Sequence, residues 1–263
     1  MSSLMYSHPH LELHEHIEQV ESGLKALQQW HSQEIQDIVG EWLPKLAKFH
    51  DLGKGSVAFQ TYIQDPPHYR GDPREKAHTP LSLFLTLFLT QGEGWDDFDA
   101  LGLAAVVRGH HSALPTIPER KIGAVSSSER DINNFAGGEN VRVLKKQLTN
   151  LDFFELERQT GLPVTKDWER IRDDPARYVL KMKRYMDDVL IKTVQKLTED
   201  EAVYYRLKNQ LLFSMLLEAD KALLAISNPE NYFQRESLQW DAQWVEQRSR
   251  NLETQNKEKD LAQ

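Results

Sequence analysis

The stretch KFHDLGKGSVAFQ, residues 48–60, sets a His-Asp pair almost directly ahead of Gly-Lys-Gly. Upstream, Ile35, Ile38, Val39 and Trp42 recur at helical spacing, which predicts an amphipathic helix ending at His50 and Asp51. Successive side chains there splay by about 100°, so an imidazole and a carboxylate can address neighbouring ions. Gly53 lets the backbone turn sharply and leaves room beside the pair. Lys54 then projects from the next helix start, a good position for a cation that meets phosphate oxygen. A nucleotide-binding P-loop is excluded, because no Ser or Thr follows Lys54 and Lys48 stands where that motif needs Gly.

The same helical spacing continues along the chain, as in Ile17/Val20/Leu24/Leu27, while strand signals are nearly absent. The fold class read from this is all-α. Helices are predicted near 11–30, 33–51, 55–64, 80–90, 97–109, 139–159, 176–197, 200–226 and 237–258. Two stretches rich in Pro and Gly, 64–77 and 112–141, interrupt the pattern and read as surface loops. Length and composition suit one main domain, 1–236, followed by a helical extension, 237–263. Trp240 and Trp244 in that extension either dock on the body or form a handle for a partner protein.

The chain has no cysteine, which excludes disulfides and thiolate-bound zinc and fits a reducing compartment. Any metal must therefore be held by imidazole and carboxylate. The uncharged run from Thr79 to Gly92 is shorter than the roughly 20 apolar residues that cross a bilayer. The first residues also lack the pattern of a secretory signal. No membrane contact and a cytoplasmic location are expected. A formal charge of −8 is the wrong sign for gripping duplex nucleic acid through a broad basic face, so any such contact should be local.

Borderline cations accept imidazole nitrogen and carboxylate oxygen, and a dinuclear site needs several His plus a bridging carboxylate. The candidates are His16, His50, Asp51, His78, His110, His111 and Asp220. Thr79 as N-cap and Pro80 as first helical residue place His78 on the loop entering a helix. Gly109, His110 and His111 end an apolar helix with two consecutive imidazoles. Asp220 lies in the apolar LLFSMLLEADKALLAI, where a carboxylate is costly unless paired or bound to a cation. At the amino end His16 is favoured beside the Ile17/Val20/Leu24 stripe, with His14 as an alternative. His8 and His10 are assigned to a mobile start. A zincin motif fails there because Leu11 stands where Glu belongs.

Taken in order, His16, His50-Asp51 with Gly53-Lys54, His78, His110-His111 and Asp220 resemble the HD-superfamily metal-dependent phosphohydrolases. More narrowly, they resemble the HD nuclease of type I CRISPR systems, over about residues 10–226. The resemblance implies an HD-domain helical bundle. It implies a deoxyribonuclease that hydrolyses single-stranded DNA with two divalent ions, drawn from Mn, Ni, Co, Mg or Fe. His16, His50, Asp51 and Asp220 would hold one ion, and Asp51, His78, His110 and His111 the other. Asp51 and Lys54 would be the catalytic residues, with Lys54 binding the scissile phosphate or neutralising the leaving oxygen. Implied partners are a separate helicase and the guide-RNA surveillance complex, since the chain ends before a helicase could fit. Thr79 and Ser112 depart from the Ser and Gly common at those positions. Alternatives are an HD hydrolase of small nucleotides and an inactive helicase-docking subunit.

Overall fold

A computed structural model describes residues 4–114, 141–164, 168–194, 196–225 and 250. The chain divides into two units, Met1–Ser227 and Asn228–Gln263. The first holds the helical bundle and every candidate ligand. The expected boundary after 236, the helix 237–258 and most of the loop 112–141 lie outside the described residues.

The centre is made by α5 (Thr79–Gly92) and α6 (Asp97–Gly109). The uncharged run read from the sequence coincides with α5, and its residues from Thr79 to Leu87 are all buried. A helix apolar on every side has no solvated face to offer and is driven to the middle of the protein. Around this pair lie α1 (Leu13–Gln28), α3 (Leu43–Phe49) and a long helix, α11 (Glu199–Ala225). On another flank α7 (Val141–Thr149) and α10 (Pro175–Val194) pack together against α5. No helix among the described residues is long and apolar enough to cross a membrane.

Gly102 of α6 and Asn209 of α11 show how tightly the long helix is seated. A Cβ at Gly102 would lie 2.6 Å from the Asn209 Oδ1 atom. One residue away, buried Lys208 bonds Asp99 at 3.1 Å and lies 3.7 Å from the ring centre of Trp42. The ammonium is thus compensated by a carboxylate and an aromatic face, as a buried charge requires.

The structure departs from the predicted helices in four places. The helix expected over 33–51 is two, α2 (Gln33–Val39) and α3, because Pro44 has no N–H and fits only a first turn. The helix expected over 139–159 is also two. Asp152 caps α8 (Phe153–Thr160) through the Glu155 N–H, and Gly161 at φ 64° ends it. A short α9 (Trp168–Asp173) has no counterpart among the predicted helices; buried Trp168 stacks on Phe153 with ring centres 4.5 Å apart. Between α3 and α4 (Val57–Gln64) runs a single 3₁₀ turn, Leu52–Gly55.

The largest correction is at the amino end. Instead of a mobile start, the chain forms a hairpin, β1 (Tyr6–His8) with β2 (Leu11–Glu12), before entering α1. Its two-residue turn is Pro9-His10, and His10 takes φ 68°, the geometry in which Pro precedes a left-handed residue. The hairpin is anchored from both sides. The Leu13 N–H donates to the Met5 carbonyl at 2.9 Å, and Met5 and Ser7 are buried. Gln60 of α4 accepts from the Tyr6 N–H, and its amide donates to the Tyr6 and Lys54 carbonyls at 2.9 and 2.8 Å. One side chain therefore ties β1 to the 3₁₀ turn that carries Lys54.

Candidate metal centre

Two helices end in the same way at the heart of the molecule. His50 caps the C-terminus of α3, and its Nδ1 lies 2.7 Å from the Ala47 carbonyl. His110 caps α6, and its Nδ1 lies 2.6 Å from the Val107 carbonyl. The last carbonyls of a helix lack intrahelical partners, and a carbonyl can only accept. Each Nδ1 must therefore carry a proton, and the neutral form of each ring then presents its Nε2 as the lone pair.

Those nitrogens face further imidazoles and the Asp51 carboxylate. His50 Nε2 is 3.3 Å from His16 Nε2 and 3.2 Å from Asp51 Oδ2. His110 Nε2 is 3.4 Å from His78 Nε2 and 3.5 Å from Asp51 Oδ1. His78 Nε2 is itself 3.2 Å from Asp51 Oδ1, and His16 Nε2 is 3.2 Å from both Asp51 Oδ2 and Asp220 Oδ1. Acceptor set against acceptor at such distances is repulsive unless a positive charge lies among them. Both Asp51 oxygens are buried without a well-formed hydrogen bond, and the Lys54 ammonium, 2.7 Å from Oδ2, offsets only part of the charge. Borderline divalent cations prefer such donors, so the residues present fit metal.

The donors fall into two groups that share Asp51. One is His16, His50 and Asp51; the other is Asp51, His78, His110 and His111, with the donor atoms of each group within 4.8 Å of one another. Asp220, on α11, joins the first group through His16 and lies 3.9 Å from His50 Nε2. Its ion-pair partners among the described residues are these imidazoles, not a Lys or Arg. Thus all seven side chains singled out in the sequence meet, although they come from α1, α3, the ends of α5 and α6, and α11. Of these seven, His111 alone is exposed; it leans on His110 and His78 with ring centres 4.1 and 4.9 Å away.

Electrostatics follow burial and contact. Burial pushes His78 down to about 3, and burial with His110 beside it pushes His111 down to about 4, so both are neutral with lone pairs available. Burial alone would raise Asp51, but its surroundings of His50, Lys54, His110 and His16 hold it well below the usual carboxylate range. Asp220 is likewise lowered, against its burial, by the bond from His16. Burial would lower His16, yet its contacts with Asp220 and Asp51 outweigh this and raise it. The centre therefore keeps its carboxylates ionised.

Several sequence expectations change at this scale. Lys54 does not project outward: it is buried, turned back on Asp51 and within 3.1 Å of Ser7 Oγ. A buried carboxylate draws in the nearest cation, and the 3₁₀ turn brings Lys54 within reach. His78 rather than Thr79 occupies the cap of α5, and Thr79 Oγ1 instead accepts from Arg108 at 3.2 Å. Ser112 folds back so that its N–H donates to the Gly109 carbonyl. His14 points away from the centre, toward Gln159 and Glu12. Exchanging His14 for Ala is expected to leave bound metal unchanged, whereas His16→Ala should lower it at least about tenfold; elemental analysis of both variants checks this.

Sequence reasoning missed His8. It stands beside His16 with ring centres 4.9 Å apart, and burial with the Lys54 charge pushes it down to about 4. A short strand of mixed polarity gives no periodic signal, so only tertiary structure brings it here.

A helical bundle holding clustered imidazoles around a His-Asp pair is the arrangement of HD-type phosphohydrolases. The chain belongs to the Cas3 HD-domain family, whose sequence model ("Cas3, HD domain") matches residues 10–218. It is thus an HD-type domain of the Cas3 family. A stretch of 69 residues is 36% identical to the CRISPR-associated nuclease/helicase Cas3 of Haloferax volcanii, covering 26% of this chain and 7% of that protein. Among solved structures, the CRISPR-associated Cas3 HD domain protein MJ0384 from Methanocaldococcus jannaschii matches 83% of this chain and all of its own, at 15% identity and a TM-score of 0.43.

Proposed function

We propose that this chain hydrolyses phosphodiester bonds of single-stranded DNA during CRISPR interference, in the cytoplasm, beside a separate helicase and the guide-RNA complex. One observation carries the chemistry: imidazole lone pairs with fixed tautomers converge on both oxygens of one buried carboxylate. His16, His50, Asp51 and Asp220 would hold one divalent ion, and Asp51, His78, His110 and His111 would hold a second. Bound there, such ions activate water as a nucleophile at neutral pH and stabilise the charge of a phosphoryl group in flight. Mn, Ni, Co, Mg and Fe all suit the role, the imidazole-rich donors favouring the first-row metals over Mg.

The protein's own part is to orient and to compensate. The Ala47 and Val107 carbonyls fix the tautomers of His50 and His110, so their lone pairs need no reorganisation. Lys54 keeps Asp51 ionised and supplies a positive charge for the phosphate or the departing oxygen. Exposed His111 marks the side on which the substrate arrives. The segment 237–263 serves as the handle for a partner.

Purified chain loaded with Mn, Ni, Co or Mg is expected to cut a single-stranded oligonucleotide and to spare deoxynucleoside triphosphates. Preference for the free nucleotides would replace the nuclease reading with that of a small-nucleotide hydrolase. Chelation should stop cleavage and also lower the melting temperature by several degrees, since a ligand at a hundred times its dissociation constant stabilises by about 2.7 kcal/mol. A melting curve indifferent to chelator would argue against resident metal.

A further inference from the structure

The hairpin that precedes α1 reaches the centre through three linked side chains. Lys54 Nζ lies 3.1 Å from Ser7 Oγ, and Ser7 Oγ lies 2.9 Å from His8 Nδ1. An ammonium can only donate, so Ser7 Oγ accepts from Lys54. The buried Ser7 hydroxyl needs an acceptor for its own proton, and among the described residues His8 Nδ1 is the one within reach. His8 Nδ1 is then the acceptor, and the neutral ring carries its proton on Nε2. Among the described residues that Nε2–H has no hydrogen-bond partner.

Position adds to chemistry. One side of the His8 ring meets His16 edge-on at 4.9 Å, while the residue remains partly exposed. Ser7 and Lys54 behind it are buried, and Gln60 fixes the strand to the turn that carries Lys54. His8 is thus a preset donor at the rim, held by buried groups on rigid elements. Buried polar links of this kind are retained where orientation matters, because a loose donor contributes little.

We infer that His8 binds substrate: its Nε2–H donates a hydrogen bond to a phosphoryl oxygen of a phosphate ester at the metal centre, and Ser7 is the positioning residue that sets its tautomer. The inference rests on the metal-dependent phosphoesterase reading given above, and it assigns to the hairpin a role that the seven clustered donors do not need.

The test uses the full chain loaded with Mn and thymidine 5′-monophosphate as probe, with binding followed by calorimetry and metal by elemental analysis. His8→Ala should weaken binding about tenfold or more, the worth of a hydrogen bond to a charged group, at unchanged metal content and melting temperature. His8→Gln places an amide N–H near the position of Nε2 and should recover binding to within about threefold of the natural chain. Ser7→Ala, which frees the tautomer, should fall between the two. Unchanged binding in His8→Ala, loss of metal with loss of binding, absence of rescue by Gln, or a natural chain that binds no monophosphate would each overturn the assignment. A chain that holds metal and binds the probe in this pattern yet cuts no strand would defeat the nuclease reading alone.

Discussion

Replacing Asp51 with Asn is expected to lower cleavage by about a thousandfold or more and to strip most of the bound metal. Both carboxylate oxygens are engaged: Oδ2 faces His16 and His50, and Oδ1 faces His78 and His110. An amide of the same shape presents one neutral oxygen and an N–H, so at least one group of imidazoles would face a donor that no cation can use. Removing a single preorganised electrostatic group commonly costs about a hundred- to a thousandfold in rate, and this one serves both halves of the centre. Asp51→Ala should go further and weaken the fold, by about 3 to 5 kcal/mol, because Lys54 would remain buried with no counter-charge. Rates of oligonucleotide cleavage, metal content and melting temperature for the two variants separate chemistry from folding. An Asn variant that retained metal and cut at a tenth of the natural rate would remove Asp51 from its central place.

Gly53→Ala is the second large effect, and it acts on folding. A Cβ at this position would stand 2.1 Å from the His78 carbonyl oxygen and 2.8 Å from its carbon. Neither atom can swing aside, since the same carbonyl accepts the Ser82 N–H at 2.8 Å in the first turn of α5. Withdrawing the 3₁₀ turn is no easier, because the Gly53 N–H donates to Ser82 Oγ at 2.8 Å. The methyl is thus wedged between two backbones at the seam where Asp51 meets His78. A cost of at least about 3 kcal/mol is expected, which for a domain of this size lowers the melting temperature by about 6 to 12 °C or leaves the protein insoluble. A soluble Gly53→Ala protein melting within 2 °C of the natural chain would contradict the close approach.

That second case shows where the sequence is informative and where it is not. Gly53 stands out in the sequence for a turn and for space near the ligands; the reason it must be glycine is contact with the backbone of His78, which no local pattern records. The candidate donors are legible because each looks costly or unusual on its own: a carboxylate in the apolar run around Asp220, paired imidazoles after Gly109, a His beside the Ile17/Val20 stripe. Helix α5 is legible because fourteen uncharged residues leave little choice. The breaks at Pro44 and Asn150–Asp152 are not, since apolar periodicity runs through both. Lys54 misleads through its neighbours: a helix start suggests an outward side chain, whereas the shorter 3₁₀ turn and an ionised Asp51 pull it inward. His8 escapes notice because two-stranded hairpins owe their stability to what they pack on, here Gln60 and the start of α1.

His16 and Asp220 lie near the two ends of the folded unit and touch each other at its middle. During synthesis the amino-terminal imidazole waits for a helix that leaves the ribosome some two hundred residues later. A nascent or truncated chain therefore carries an incomplete set of donors. The group that joins His16 to Asp220 is in this way withheld by topology until translation has passed α11.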